Sequence, residues 1–179
     1  IVPAGEVSGS LRNDPLAPES KSSGLGDLIL GGVFTLHGMP AMTPKEFVQF
    51  DPGFSVSLLA KLSAPTGAYD SSQVINLGSN RWSLQVGVPV FYYFGETLLD
   101  DDLTTIEILP TVTFFTDNDD PFGANEMEQD VLFRIEAHVT RNINRDLWVS
   151  LDSMWTYGGE TTTDGVGADN SQSSLSLGA

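Results

Sequence analysis

The sequence predicts an all-β protein, an antiparallel transmembrane β-barrel built as an up-and-down meander. Residues 130–157 alternate between apolar and polar side chains on both sides of a short polar turn, which is typical of a β-hairpin. Each arm runs for about 11 to 13 residues, whereas strands of soluble proteins usually have about 5 or 6. Crossing a bilayer takes about 9 to 11 strand residues, so the arms have a membrane-spanning length. No run of about 18 apolar residues is present, which argues against a transmembrane helix.

The two faces of this hairpin differ in chemistry. One face of its first arm carries Val131, Phe133, Ile135, Ala137 and Val139. The opposite face carries ionisable groups: Arg134, Glu136 and His138, joined by Asp152 of the second arm. In an outer-membrane barrel the apolar face meets lipid and the polar face lines the lumen, and the length of the arms favours this arrangement.

The same alternation predicts five further strands, so that seven are visible in all. They are predicted at residues 24–38, 54–67, 81–94, 104–116 and 171–179, with the hairpin arms between the last two. The stripe from Trp82 to Phe94 is the most regular. It has apolar residues at every second position and aromatic residues at both ends, as expected where a strand crosses two membrane interfaces.

The connections predict an orientation. Residues 1–23 are rich in Pro, Ser and acidic residues and predict a loop or disordered lead-in before a barrel segment at 24–179. Segments 68–80, 117–129 and 158–170 are long and predicted to be extracellular, whereas 95–103, 142–145 and 39–53 are predicted to be periplasmic. The last contains one predicted helical turn, with Thr43 as its cap and Pro44 at its first position.

Composition limits the function classes. The chain has 179 residues, which suits one domain, and a net charge of -16. Nucleic acid is an unfavourable partner for such a chain, because phosphate binding needs clustered Lys and Arg. Cysteine is absent, so the chain can form neither a disulfide framework nor a thiolate metal site. The sequence begins within predicted loop and ends within a predicted strand, so we expect both ends to be truncated.

The candidate functional residues are those predicted to face inward. The charged and titratable members are Asp27, Lys61, Arg81, Glu107, Arg134, Glu136, His138 and Asp152. They would set the electric field of a lumen, or pair with one another to fill a small barrel. Apolar residues also fall on this face, and Phe91, Tyr93 and Trp148 are expected to shape a constriction. The others are Leu59, Pro89, Leu109, Phe115, Leu132 and Met154. They would either pack in a constriction or line an apolar path for hydrophobic solutes.

Two alternatives from other classes remain open. An outer-membrane barrel enzyme, a lipid or peptide hydrolase, would use His138 as a base with Glu136 or Asp152 and a nucleophile such as Ser150. A soluble β-sandwich, such as a carbohydrate-binding module, would bury the apolar stripes between two sheets. No cofactor or metal is expected, since the acidic stretches 100–102 and 117–120 do not match the calcium-binding EF-hand loop.

Three motifs carry a resemblance to a known family. They are GLGDL at 24–28, KLSAPTGAYDSSQVINLGSNRW at 61–82 and DLWVSLDSMWTYGGET at 146–161, followed by Asp164, Gly165 and Gln172. With them the chain resembles, over residues 24–179, the outer-membrane channel family of the meta-pathway of phenol degradation.

The resemblance implies a monomeric, twelve-stranded barrel in the outer membrane of a Gram-negative bacterium. It also implies passive uptake of small, hydrophobic or aromatic molecules rather than catalysis, and it carries over no catalytic residue. The expected partners are outer-membrane lipid, lipopolysaccharide and the solute itself.

Overall fold

The computed structural model describes residues 1–9 and 20–179, and within these the fold is almost entirely β. In chain order the elements are β1 (Ala4–Gly9), β2 (Ser20–Leu25), β3 (Leu28–His37), α1 (Pro44–Phe47), β4 (Phe54–Ala64), β5 (Ser83–Gly87), β6 (Val90–Phe94), β7 (Thr104–Phe115), β8 (Met127–Gln129), β9 (Leu132–Asn144), β10 (Leu147–Gly158), β11 (Thr161–Thr163), β12 (Val166–Gly167) and β13 (Gln172–Gly178).

The main sheet is an antiparallel meander in the order β13-β10-β9-β7-β5-β4-β3, with β6 also lying between β4 and β7. Its strands coincide with the seven predicted ones, and the all-β antiparallel fold class is confirmed. Within the described residues the sheet is open, because β3 and β13 form its two edges and do not pair with each other.

The third predicted strand is divided into β5 and β6 by Val88 and Pro89. Pro89 has no N–H to give to a neighbouring strand, so the ladder is interrupted there. Two backbone bonds hold the interruption in place. Val88 N–H donates to the Pro110 carbonyl at 3.1 Å, and Ser57 N–H donates to the Pro89 carbonyl at 2.9 Å. Both pieces therefore lie between β4 and β7 and are separated by two unpaired residues.

The lead-in differs from the prediction of a loop or disorder. Strands β1 and β2 form a two-stranded antiparallel sheet, in which the Lys21 ammonium lies 2.9 Å from the Glu6 carboxylate. The hairpin is tied to the start of the wall, since Gly26 N–H donates to the Pro3 carbonyl and Ile29 N–H to the Ile1 carbonyl. Its strands are short and polar, and their pairing comes from these contacts rather than from alternation. Residues 10–19 of the predicted lead-in lie outside the described residues.

Two of the predicted loops also contain short strands. Segment 117–129 contributes β8, and segment 158–170 contributes β11 and β12. These form a three-stranded sheet in the order β12-β11-β8. At the opposite end, the predicted helical turn is confirmed as α1. Thr43 caps it reciprocally with Glu46: the Glu46 N–H donates to the Thr43 hydroxyl, and the Thr43 N–H donates to the Glu46 carboxylate.

The apolar stripes face outward and are not covered. Among the described residues no hydrophobic side chain is buried, and residues such as Phe34, Leu84 and Leu151 are 41 to 70 % exposed. A β-sandwich would bury these side chains between its sheets, so the sandwich alternative is wrong. No helix in the described part of the chain has the length and apolarity required to cross a bilayer.

Candidate functional site

The polar face of the sheet is organised in rows of cross-strand partners, because paired residues on neighbouring strands project to the same side. We call this side the inward face. One row, the Glu107 row, runs across six strands and places four predicted site residues next to one another. Its members are Ser55, Phe91, Glu107, His138, Asp152 and Gly178.

Strong polar contacts connect the second half of the Glu107 row. His138 Nδ1 lies 2.7 Å from Asp152 Oδ1, and the Ser150 hydroxyl donates to Asp152 Oδ2 at 2.9 Å. A hydrolase of the serine type needs the hydroxyl to meet the histidine, with the carboxylate behind the ring. Here the serine and the histidine both bind the carboxylate, so this order is not the one that activates a nucleophile.

On the β6 side of the row the inward face carries two aromatic rings. Phe91 stacks on Tyr93, with ring centroids 6.0 Å apart and planes inclined by 6°. Tyr93 lies opposite Thr105 in the next row, towards the end of the sheet that carries turns 95–103 and 145–146. We call this the short-turn end. Trp148 lies beside the same end, opposite Asn142, and is 62 % exposed. Among the aromatic pairs of the described residues, none joins Trp148 to Phe91 or Tyr93.

Three more predicted residues lie on the inward face in other rows. Lys61 is opposite Gln85, and Glu136 lies between Leu109 and Met154. Arg134 lies between Thr111 and Thr156, both of which are buried. The Arg134 Nη1 atom is 3.9 Å from Glu136 Oε1, which is an ion pair but too long for a hydrogen bond.

Asp27 and Arg81 lie outside the strands, at the opposite end of the sheet, which carries segments 65–82, 116–131 and 159–171. We call this the long-loop end. The prediction that both face a lumen assumed that strand periodicity extends to them. Arg81 donates to the Gln129 side chain, and its guanidinium lies 4.7 Å from the ring centroid of Phe115. Burial lowers the pKa of Arg81, and the charge of Asp117 opposes part of that shift.

Asp27 is buried at the meeting point of two family motifs. Its carboxylate accepts hydrogen bonds from Gly67 N–H at 2.9 Å, from Ser79 N–H at 2.9 Å and from the Ser79 hydroxyl at 2.6 Å. A Cβ on Gly67 would lie 2.7 Å from the Gly26 carbonyl carbon and 2.8 Å from the Gly78 Cα. The motifs GLGDL and KLSAPTGAYDSSQVINLGSNRW therefore meet in an anchor, which we call the Asp27 clasp.

The segments of the long-loop end are also bonded to one another. The Asn118 side chain links Tyr69 to Asn80: its amide donates to the Tyr69 hydroxyl at 2.9 Å, and its oxygen accepts from the Asn80 amide at 2.7 Å. Asp164 accepts from the N–H groups of Asn125 and Glu126. Sequence reasoning missed this network, since residues far apart in the chain supply each pair.

No group of three or more His, Asp or Glu side chains in the described ranges has the arrangement of a metal site. The site is thus a set of inward rows that bear charge and aromatic rings, behind an apolar outer surface.

Comparison with known proteins shows which family the chain matches. A family model described as "Putative MetA-pathway of phenol degradation" matches residues 1–179.

The chain belongs to this family. The resemblance inferred from the motifs is confirmed, and the match of the phenol-degradation family includes the lead-in as well as residues 24–179. A search of curated proteins gives no match.

Among solved structures, the chain is similar to the crystal structure of the COG4313 outer membrane channel from Pseudomonas putida F1. The TM-score is 0.74 and the sequence identity is 23 %. The match covers 98 % of this chain and 59 % of that channel, so this chain spans less than two thirds of its length. At this level of identity the likeness shows that the fold of the channel is shared.

Proposed function

We propose that this chain forms part of the wall of an outer-membrane channel for passive uptake of small hydrophobic or aromatic molecules. The single observation that carries the proposal is the contrast between the two faces of a single-layered sheet. The outward stripes are exposed and apolar, whereas the inward face holds Glu107, Arg134, Glu136, His138 and Asp152. Exposed apolar side chains on the outward face are favourable only in an apolar solvent such as lipid. The charged side chains of the inward face are favourable only beside a polar space.

The membership of the family and the fold shared with an outer membrane channel support the same function. The outer membrane of a Gram-negative bacterium is the proposed location, with lipid and lipopolysaccharide against the outward stripes. A passive channel needs no cofactor, because selectivity follows from pore width, lining groups and charge. We propose that the protein is not an enzyme and acts as a monomer.

A pair of substitutions on adjacent residues of β7 tests the proposal in the full-length protein. Val112 lies outward between Val86 and Phe133, and Thr113 lies inward between Gln85 and Leu132. Arginine on the lipid face costs about 2 to 4 kcal/mol near the bilayer midplane, whereas a lumen position is in contact with water. Val112→Arg should therefore reduce insertion into the outer membrane, and Thr113→Arg should insert and change conductance.

The measurements are the fraction of folded protein recovered in outer-membrane preparations and the single-channel conductance in planar bilayers. Equal insertion of the two variants, or a wild-type protein that inserts without conducting ions, would contradict the proposed channel.

A further inference from the structure

A groove crosses the sheet at the level where β5 ends and β6 begins. Its volume is about 780 Å³, and most of its lining residues are apolar. Many of them belong to two adjacent outward rows: one runs through Ala60, Val86, Val112 and Phe133, and the other contains Pro110, Ile135 and Trp155. The row between these two also contributes to the lining, through residues that include Gly87, Thr111 and Arg134.

The strand pairing is irregular at this level, and the sequence gives a local cause. Gly87 ends β5, and a Cβ there would lie 2.7 Å from Thr111 Cγ2 and 2.9 Å from the Pro110 carbonyl oxygen. Val88 and Pro89 interrupt the strand, and Pro110 lacks an N–H on the neighbouring strand. Backbones thus approach closely at a place where the ladder is incomplete.

The inward row at this level contains one charged residue. It consists of Val33, Leu59, Gly87, Thr111, Arg134, Thr156 and Ser174. Because Thr111 and Thr156 are short and buried, the side chain of Arg134 is the longest group that this row presents to the inward space.

The guanidinium of Arg134 is incompletely paired. Among the described residues none accepts a hydrogen bond from it, its Nε is buried without a partner, and the carboxylate of Glu136 is 3.9 Å away. A guanidinium has five N–H donors, and it binds oxyanions strongly where it is not already satisfied.

The surroundings of Arg134 on the inward face are apolar as well as charged. Leu132 precedes it by two residues on the same side of β9, and Leu109 and Met154 lie on either side of Glu136 in the next row. Lys61, the other inward cation of these strands, lies instead opposite Gln85, which is in turn opposite Thr113. A cation next to apolar side chains suits a solute that combines an apolar body with a single anionic oxygen group.

We propose that Arg134, on the inward face at the level where β5 and β6 are interrupted, binds the carboxylate or phenolate oxygen of a small apolar solute during permeation. This inference rests on the proposed channel function and assigns it a substrate class. Glu136 competes with the solute for the guanidinium. Leu109, Leu132 and Met154 contact the apolar body, and a neutral analogue of the same size is bound more weakly.

The test uses the full-length protein in planar bilayers, with benzoate as the probe and benzamide as its neutral counterpart. The quantity measured is the benzoate concentration that reduces the potassium chloride current by half. Arg134→Gln should raise this concentration by about tenfold or more, since it removes a charge-assisted contact. The matched control is Arg141→Gln, because Arg141 is exposed at the short-turn end and donates to Thr104.

Two further variants keep the inference falsifiable if Arg134→Gln does not fold. Glu136→Gln removes the competing carboxylate, so benzoate should block at a lower concentration than in the wild type. Arg134→Lys keeps the positive charge but lacks the planar guanidinium. Its half-blocking benzoate concentration should lie between those of the wild type and Arg134→Gln.

An unchanged half-blocking concentration in Arg134→Gln overturns the inference, as does weaker block in Glu136→Gln or equal block by benzamide. A wild-type protein that conducts no ions overturns the channel function itself. The two failures are therefore distinguished by the current measured before the probe is added.

Discussion

The carboxylate of Asp27 accepts a hydrogen bond from the backbone N–H of Gly67, 40 residues further along the chain and 2.9 Å away. The bond joins the corner before β3 to the loop that leaves β4. Ser79 completes the contact from the far side of the same loop. The motifs GLGDL and KLSAPTGAYDSSQVINLGSNRW thus contribute to the stability of one end of the wall, and their glycines permit the backbones to approach closely there.

Replacing Asp27 should destabilise the long-loop end. Asp27→Ala leaves the N–H groups of Gly67 and Ser79 without an acceptor, which costs about 1 to 3 kcal/mol for each buried unsatisfied group. Asp27→Asn retains one acceptor oxygen and should lie between the wild type and Asp27→Ala. The measurement is the urea concentration at which the refolded full-length barrel unfolds, and Asp119→Ala, an exposed change of the same charge, is the control. Equal midpoints for Asp27→Ala and Asp119→Ala would show that the clasp is not a stabilising element.

A methyl group on Gly67 should be tolerated much less well than one on Gly32. The Cβ of an alanine at 67 would meet the Gly26 carbonyl carbon, the Asp27 nitrogen and the Gly78 Cα at 2.7 to 2.8 Å, and backbone atoms cannot rotate away. Overpacking of this kind costs about 1 to 3 kcal/mol. At Gly32 nothing lies within 4 Å of the added Cβ, so Gly32→Ala should be neutral. Thermal unfolding of the two variants measures the difference, and a larger loss for Gly32→Ala contradicts the close approach at the clasp.

Much of this wall could be predicted from alternation, and the exceptions have physical causes. Seven strands follow from side chains that change face at every residue, as in β9. The break at Pro89 concerns a missing N–H, which face counting does not detect. The first hairpin is held by contacts such as that between Lys21 and Glu6, so its sequence shows no apolar stripe.

The site was predicted with similar limits. Register places Phe91, Glu107, His138 and Asp152 in one row because each lies on the polar side of a regular strand. Asp27 was expected on the same face by counting back from β3, although the chain turns before Leu28. The groove could not be foreseen, since side chains from several strands line it together.

Acid should weaken the turn at residues 95–103 through Asp100. Hydrogen bonds from the side chain and N–H of Thr97 and from the N–H of Glu96 lower the pKa of the Asp100 carboxyl below its usual value. A carboxyl whose pKa is lower in the folded state stabilises the fold above its unfolded pKa, about 4, and loses that contribution as the pH falls through the folded value. The difference in stability between the wild type and Asp100→Asn should therefore be constant near neutral pH and shrink below pH of about 4. Unfolding midpoints of the two proteins at several pH values measure this difference in stability. A difference that grows as the pH falls would contradict the prediction.

Single-cysteine labelling tests most directly which face of β9 meets lipid, and these 179 residues contain no cysteine of their own. Spin labels placed one at a time at Phe133, Arg134, Ile135, Glu136 and His138 in the reconstituted protein would be probed with oxygen, which enters lipid, and with a water-soluble nickel complex. We predict that labels at 133 and 135 are accessible to oxygen and those at 134, 136 and 138 to nickel, with a period of two residues. Accessibility to nickel at 133 and 135, or protection of both faces from both reagents, would contradict a wall with lipid on one side and a water-filled space on the other.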